Sequence, residues 1–109
     1  MAEPTLVQVF GSGATQDAST LTIQKSALAT TGLTATSNNT AESLLVAIIL
    51  KASSYLTATN LDANTDQSLS VEQGYSSIAI RNNSTYRQDS FTVNLQKPDT
   101  SGSIDPNLY

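Results

Sequence analysis

Apolar and polar positions change period several times along this chain. Residues 5–10 (TLVQVF) are β-branched and apolar, with Leu6 and Phe10 on one face and Val7 and Val9 on the other. Gly11-Ser12-Gly13 stops the run, so it predicts a first strand. Residues 20–24 alternate, with Leu21 and Ile23 on one face, and predict a second, half-buried strand. A Ser/Thr/Ala-rich loop follows over residues 26–38, pinned by Leu28 and Leu33. Asn39 stands three residues ahead of Glu42, the spacing of a capping box, and strong helix formers come next. These predict a helix over about residues 40–56. Residues 57–67 read as a polar connection. Residues 68–72, 76–81 and 85–96 read as three strands, divided by turn signals at Gln73-Gly74 and Asn82-Asn83. Their inward residues would be Leu69 and Val71, then Ile78 and Ile80, then Phe91, Val93 and Leu95. The alternation slips between Tyr86 and Phe91, which places a bulge or bend near Asp89-Ser90.

These elements make an α+β domain over residues 1–97. A mainly antiparallel sheet of about five strands would carry one long helix on one face. A β-sandwich with an inserted helix is the alternative architecture. Beyond Lys97, Pro98, Gly102 and Pro106 interrupt regular structure, so residues 98–109 are expected to form an extended C-terminal arm.

The helix has more apolar surface than one sheet needs. At 100° per residue, Leu44, Leu45, Ile48, Ile49, Ala52, Tyr55 and Leu56 form a broad face for the core. Val46 and Leu50 lie on the opposite side, four residues apart and therefore adjacent. Two readings stay open: a subunit contact covers them, or the loop 26–38 folds back over them with Leu28 and Leu33. The arm poses the same question, because Ile104, Leu108 and Tyr109 fit a segment that docks on a neighbour better than a solvated tail. Val46, Leu50, Ile104, Leu108 and Tyr109 are the candidate interface residues.

Composition narrows the chemistry. Leu, Ile, Val and Phe supply 25 of 109 residues, enough for a folded core but not a rich one. Thr, Ser, Asn and Gln supply 45, while charged residues make up 13%, so the surface consists of hydroxyls and amides. The net charge of -4 removes the electrostatic attraction behind most nucleic-acid affinity. The longest apolar run, residues 44–50, is far short of the about 20 residues a membrane helix needs. Met1-Ala2-Glu3-Pro4 has neither the basic start nor the apolar stretch of a signal peptide, which sets synthesis in a cytoplasm as the expectation.

Histidine and cysteine are both absent, so Ser-His, Cys-His and His-ligated metal sites cannot be built. No Ser-x-x-Lys occurs, and the chain is expected to be no enzyme and to need no cofactor. Asp62-Ala63-Asn64-Thr65-Asp66 matches the start of a calcium loop, yet Gln67 stands where that turn needs Gly and Gln73 where a bidentate Glu should close it. A solvated polar loop is the simpler account. Gly11-Ser12-Gly13 lacks the third glycine and the lysine of phosphate-binding turns, and reads as a tight turn. Sequons begin at Asn38, Asn82 and Asn83 and mark exposed turns. With no Trp and six other aromatics, a stacking platform for sugars or bases is not evident, although a carbohydrate-binding or adhesion module through amide and hydroxyl contacts stays a rival.

Residues 7–26 (VQVFGSGATQDASTLTIQKS), 38–52 (NNTAESLLVAIILKA) and 85–98 (TYRQDSFTVNLQKP) together resemble short structural proteins of tailed bacteriophages, particularly those infecting cyanobacteria. The resemblance is one of texture and order and carries no catalytic or ligand signature. It implies a virion component made in a host cytoplasm: a capsid decoration or cement protein, or else a tail, neck or baseplate part. Its partners would be copies of itself and a major capsid or tail protein.

Overall fold

Thr5 and Gln8 decide the shape of the first apolar run. In the computed structural model, which describes residues 2–99 and 102–109, the run is not a strand but a short helix, α1 (Leu6–Phe10). The Thr5 hydroxyl accepts from the Gln8 N–H at 3.1 Å, and the Gln8 side-chain oxygen accepts from the Thr5 N–H at 2.9 Å. This reciprocal cap satisfies two of the donors that a helix start leaves free. Leu6, Val9 and Phe10, at i, i+3 and i+4, are half-buried and form the helix's inner side, whereas Val7 stays exposed. Gly11 ends the helix with φ at +101°.

The second predicted strand shrinks to a two-residue ladder between β1 (Thr15–Gln16) and β2 (Leu21–Thr22). Asp17 closes the turn between them: its carboxylate accepts the N–H groups of Ser19 at 2.7 Å and Thr20 at 2.8 Å. Part of the predicted loop is helical, with α2 (Lys25–Leu28) running into a 3-10 turn at Ala29–Thr31 that stops at Gly32.

The long helix forms as expected, as α3 (Ala41–Tyr55). Its cap is Thr40, whose hydroxyl accepts from the Ser43 N–H at 3.0 Å. Asn39 instead ties the preceding loop, accepting from the Thr36 N–H and donating to the Thr34 carbonyl. The predicted connection 57–67 contains a further helix, α4 (Ala58–Ala63). Thr57 caps it at the Asn60 N–H, and the Glu72 carboxylate accepts the Ala58 N–H from across the fold.

The remaining strands run antiparallel but do not form one sheet. β3 (Leu69–Gln73) pairs with β6 (Phe91–Leu95), and β4 (Ser77–Arg81) pairs with β5 (Ser84–Gln88). Together they are one long ribbon with a break. Gln73 pairs with Phe91 and Ser77 with Gln88, so three residues, 74–76, stand opposite two, 89–90. An extra residue on one side bends and twists a ribbon. The bend falls at Asp89-Ser90, where the alternation slips, and it carries β4–β5 away from the body. The five-stranded sheet is therefore replaced by three two-stranded ladders. At the tip, Asn82 and Asn83 both have positive φ, 51° and 62°, the requirement of a type I′ turn.

The core lies where α3 meets β3 on one side and α1, α2 and the 3-10 turn 29–31 on the other. Ala14, Leu28, Ala47, Leu56 and Val71 are its buried apolar residues. Val71 also donates its N–H to the Leu56 carbonyl at 2.7 Å, tying β3 to the end of α3. The predicted inward set is only partly inward. Val71 is buried and Leu69 and Phe91 are half-buried, but Ile78, Ile80, Val93 and Leu95 are exposed. On α3 the predicted face is largely kept, with Leu56 buried and Leu44, Ile48, Ile49, Ala52 and Tyr55 half-buried, but Leu45 is 57% exposed and Ala47, outside that face, is buried. A ladder two strands wide covers less of a helix than a full sheet, and the small Ala47 lets the 25–33 segment approach from the other side.

Candidate interaction surface

Val46 and Leu50 sit on a ridge between two grooves. The first, of about 300 Å³, is lined by Thr31, Gly32 and Leu33 on one wall and by Ser43, Val46, Ala47 and Leu50 on the other. The second, of about 450 Å³, runs between Val46, Ile49 and Leu50 on α3 and Gln73, Asp89 and Phe91 at the bend of the ribbon. Of the two open readings of this side, the loop reading holds in part. The segment 26–33 does fold back, burying Leu28 and half-burying Leu33 and Leu50, yet it leaves Val46 55% exposed.

The chain end divides the other candidates. Asp105 accepts the Asn107 N–H at 3.0 Å and Pro106 starts a 3-10 turn, Pro106–Leu108. Ile104 and Leu108 are exposed. Tyr109 is half-buried, with the Lys97 ammonium 5.5 Å from its ring centre, so it turns back on its own chain. The arm expected over residues 98–109 runs through residues 100 and 101, which lie outside the described residues.

Two of the most exposed apolar side chains lie elsewhere, on the β4–β5 hairpin. Nine of its ten strand residues are exposed and Ala79 is half-buried. Ile78 is 69% and Ile80 77% exposed. The register sets Ile78 beside Arg87 and Ile80 beside Thr85 on one face, and Ala79 beside Tyr86 on the other. The Arg81 guanidinium covers the Tyr86 ring at 4.6 Å, a cation-π contact that stiffens that second face. Arg87 reaches Asp89 at 3.2 Å, an exposed pair of small energetic weight. The strand pattern reads Ile78 and Ile80 as core. The signal that separates them from the core is the uneven spacing around the bend.

Polar candidates are drawn into the scaffold. Asp62 lies on α4, while the Asn64 side-chain oxygen accepts the Asp66 N–H and its amide donates to the Ala2 carbonyl. Among the described residues no group of three acidic side chains gathers for a metal. Gln67 is buried and donates to the Thr57 and Leu69 carbonyls, which joins α4 to β3 and leaves its own oxygen without a partner. Asp17 has a carboxyl held below the usual range, first by the Ser19 N–H and then by the Thr20 N–H. A lowered folded-state value adds stability above about pH 3.9, and that stability fades as pH falls through the lower value. No helix among the described residues is long and apolar enough to cross a membrane.

Searches of protein-family models, curated proteins and solved structures return no match to this chain.

Proposed function

We propose that this chain is a structural subunit of a virion, a capsid decoration or cement protein that acts by packing against copies of itself and against a larger shell protein. The virion part rests on the resemblance of residues 7–26, 38–52 and 85–98, and one quantity carries the packing part. The chain exposes 7854 Å², whereas a compact monomer of 11.5 kDa exposes about 5,800 Å². The surplus of about 2,000 Å² is more than twice what one partner contributes to a standard interface, about 800 Å². The radius of gyration, 16.1 Å, likewise exceeds the about 13 Å of a compact domain this long. A subunit meant to touch several neighbours has this form. It keeps a thin core for itself and leaves Val46, Ile78, Ile80, Ile104 and Leu108 to be covered in the assembly. With neither histidine nor cysteine, the chain works on this reading by adhesion rather than by turnover.

Sedimentation over a range of concentrations, together with co-sedimentation on purified phage heads lacking the protein, tests the reading. Oligomers and saturable binding to heads are expected. Chains ending at Pro98 should stay folded and bind heads more weakly, because Ile104 and Leu108 are gone. A strict monomer at high concentration that ignores the heads would overturn it.

A further inference from the structure

The β4–β5 hairpin makes almost no use of the rest of its own chain. Two-stranded hairpins are marginal in water unless an apolar face is covered or further strands join them. Here the face of Ile78 and Ile80 is open and all but one of the strand residues are exposed. Something outside the chain must cover it.

Charge and area point to the same occupant. Residues 75–88 hold Arg81 and Arg87 and no acid, so the rest of the chain carries three basic residues against nine acidic ones. A basic projection on an acidic body complements a second copy of itself. The body also offers a receiver, the groove of about 450 Å³ between α3 and the bend, lined by the apolar Val46, Ile49, Leu50 and Phe91, by Gln73, and by Asp89, which already pairs with Arg87 of its own chain. The surplus of about 2,000 Å² lets each copy serve as donor and receiver, since a standard contact takes about 800 Å² from each partner.

We propose that the hairpin is an inter-subunit arm that lays Ile78 and Ile80 into the α3 groove of a second copy, against Val46 and Leu50. This rests on the self-packing part of the functional reading and names the device that achieves it. The type I′ turn at Asn82-Asn83 keeps the arm rigid, and the bend at 74–76 and 89–90 aims it outward.

The chain has no cysteine, so thiol pairing reports the contact cleanly. Ile80→Cys chains are mixed with Val46→Cys chains under mild oxidation, and Ile78→Cys with Leu50→Cys as a second pair, each variant first checked for the parent's circular dichroism. Thiols held together at millimolar effective concentration should link roughly a hundredfold faster than thiols meeting at ~10 μM. Mixed disulfide dimers well above those from any single variant are the expected result. Dimers from Ile80→Cys alone would set hairpin against hairpin and overturn the groove contact. Chains that associate by light scattering but do not cross-link in either mixture would overturn the arm while leaving self-packing intact. Chains that remain monomeric would remove both.

Discussion

Gly11 shows how tightly one residue can be specified in a chain with so thin a core. It is buried, its φ is +101°, and a Cβ placed there would lie 2.6 Å from the Ala27 Cβ. Conformation and space both exclude a side chain, the first because L residues rarely adopt that φ. The contact links α1 to the segment that packs on α3, so relief is not available without parting them. Gly11→Ala is expected to cost about 1–3 kcal/mol. For a domain of this size each kcal/mol lowers the midpoint by about 4–8 °C. A thermal melt followed by circular dichroism reads this directly, and an unchanged midpoint would mean that Ala27 yields freely. Gly32 is the internal control. Its φ is +102°, but a Cβ added there would meet nothing within 4 Å, so Gly32→Ala should lose only the conformational part.

Local capping chemistry governs the elements more than strand propensity does. The run at residues 5–10 reads as a strand because Val7, Val9 and Phe10 favour strands. The same letters also carry Thr5-x-x-Gln8, a capping box, and Leu6, Val9 and Phe10 at helical spacing. Helix and strand patterns overlap in runs this short, and the cap breaks the tie. α3 is legible because its fifteen residues are too many for an ordinary strand and Ala, Leu, Glu and Lys supply eight of them. The strand positions from 68 to 96 and the Asn82-Asn83 turn are legible too. Which strands share a sheet is not, because three residues opposite two at the bend is a property of the pairing, visible only once both strands are placed. For the same reason Val46 can be picked from the helix surface, whereas the alternation assigns Ile78 and Ile80 to a core they never reach. Thr5→Ala should cost about 1 kcal/mol through loss of the cap, and amide exchange at Gln8, whose N–H bonds the Thr5 hydroxyl, should speed up while α3 is unaffected. Exchange that speeds up equally in α3 would show that α1 and α3 unfold as one unit instead.

At the scale of the whole molecule, the distribution of apolar surface ties stability to association. Among the described residues Ala14, Leu28, Ala47, Leu56 and Val71 are the buried apolar ones, and two of these five are alanines. Full burial of a Val, Leu or Ile stabilises by about 1.5–3 kcal/mol, so Val46, Ile78, Ile80 and Ile104 together hold a share comparable to the core itself. That share is realised only against a neighbour. A partner that binds the folded form and not the unfolded one adds RT ln(1 + [L]/Kd), about 1.4 kcal/mol for each tenfold rise in concentration above Kd. The melting midpoint should therefore climb by about 6–11 °C per decade of protein concentration once self-association begins. Ile80→Asp should flatten that dependence without lowering the midpoint of the dilute monomer, because Ile80 contributes little to the fold of a single chain. Calorimetry across three decades of concentration separates the cases. A midpoint indifferent to concentration would mean that the open apolar face does not serve self-assembly, and the larger shell protein would then have to cover it alone.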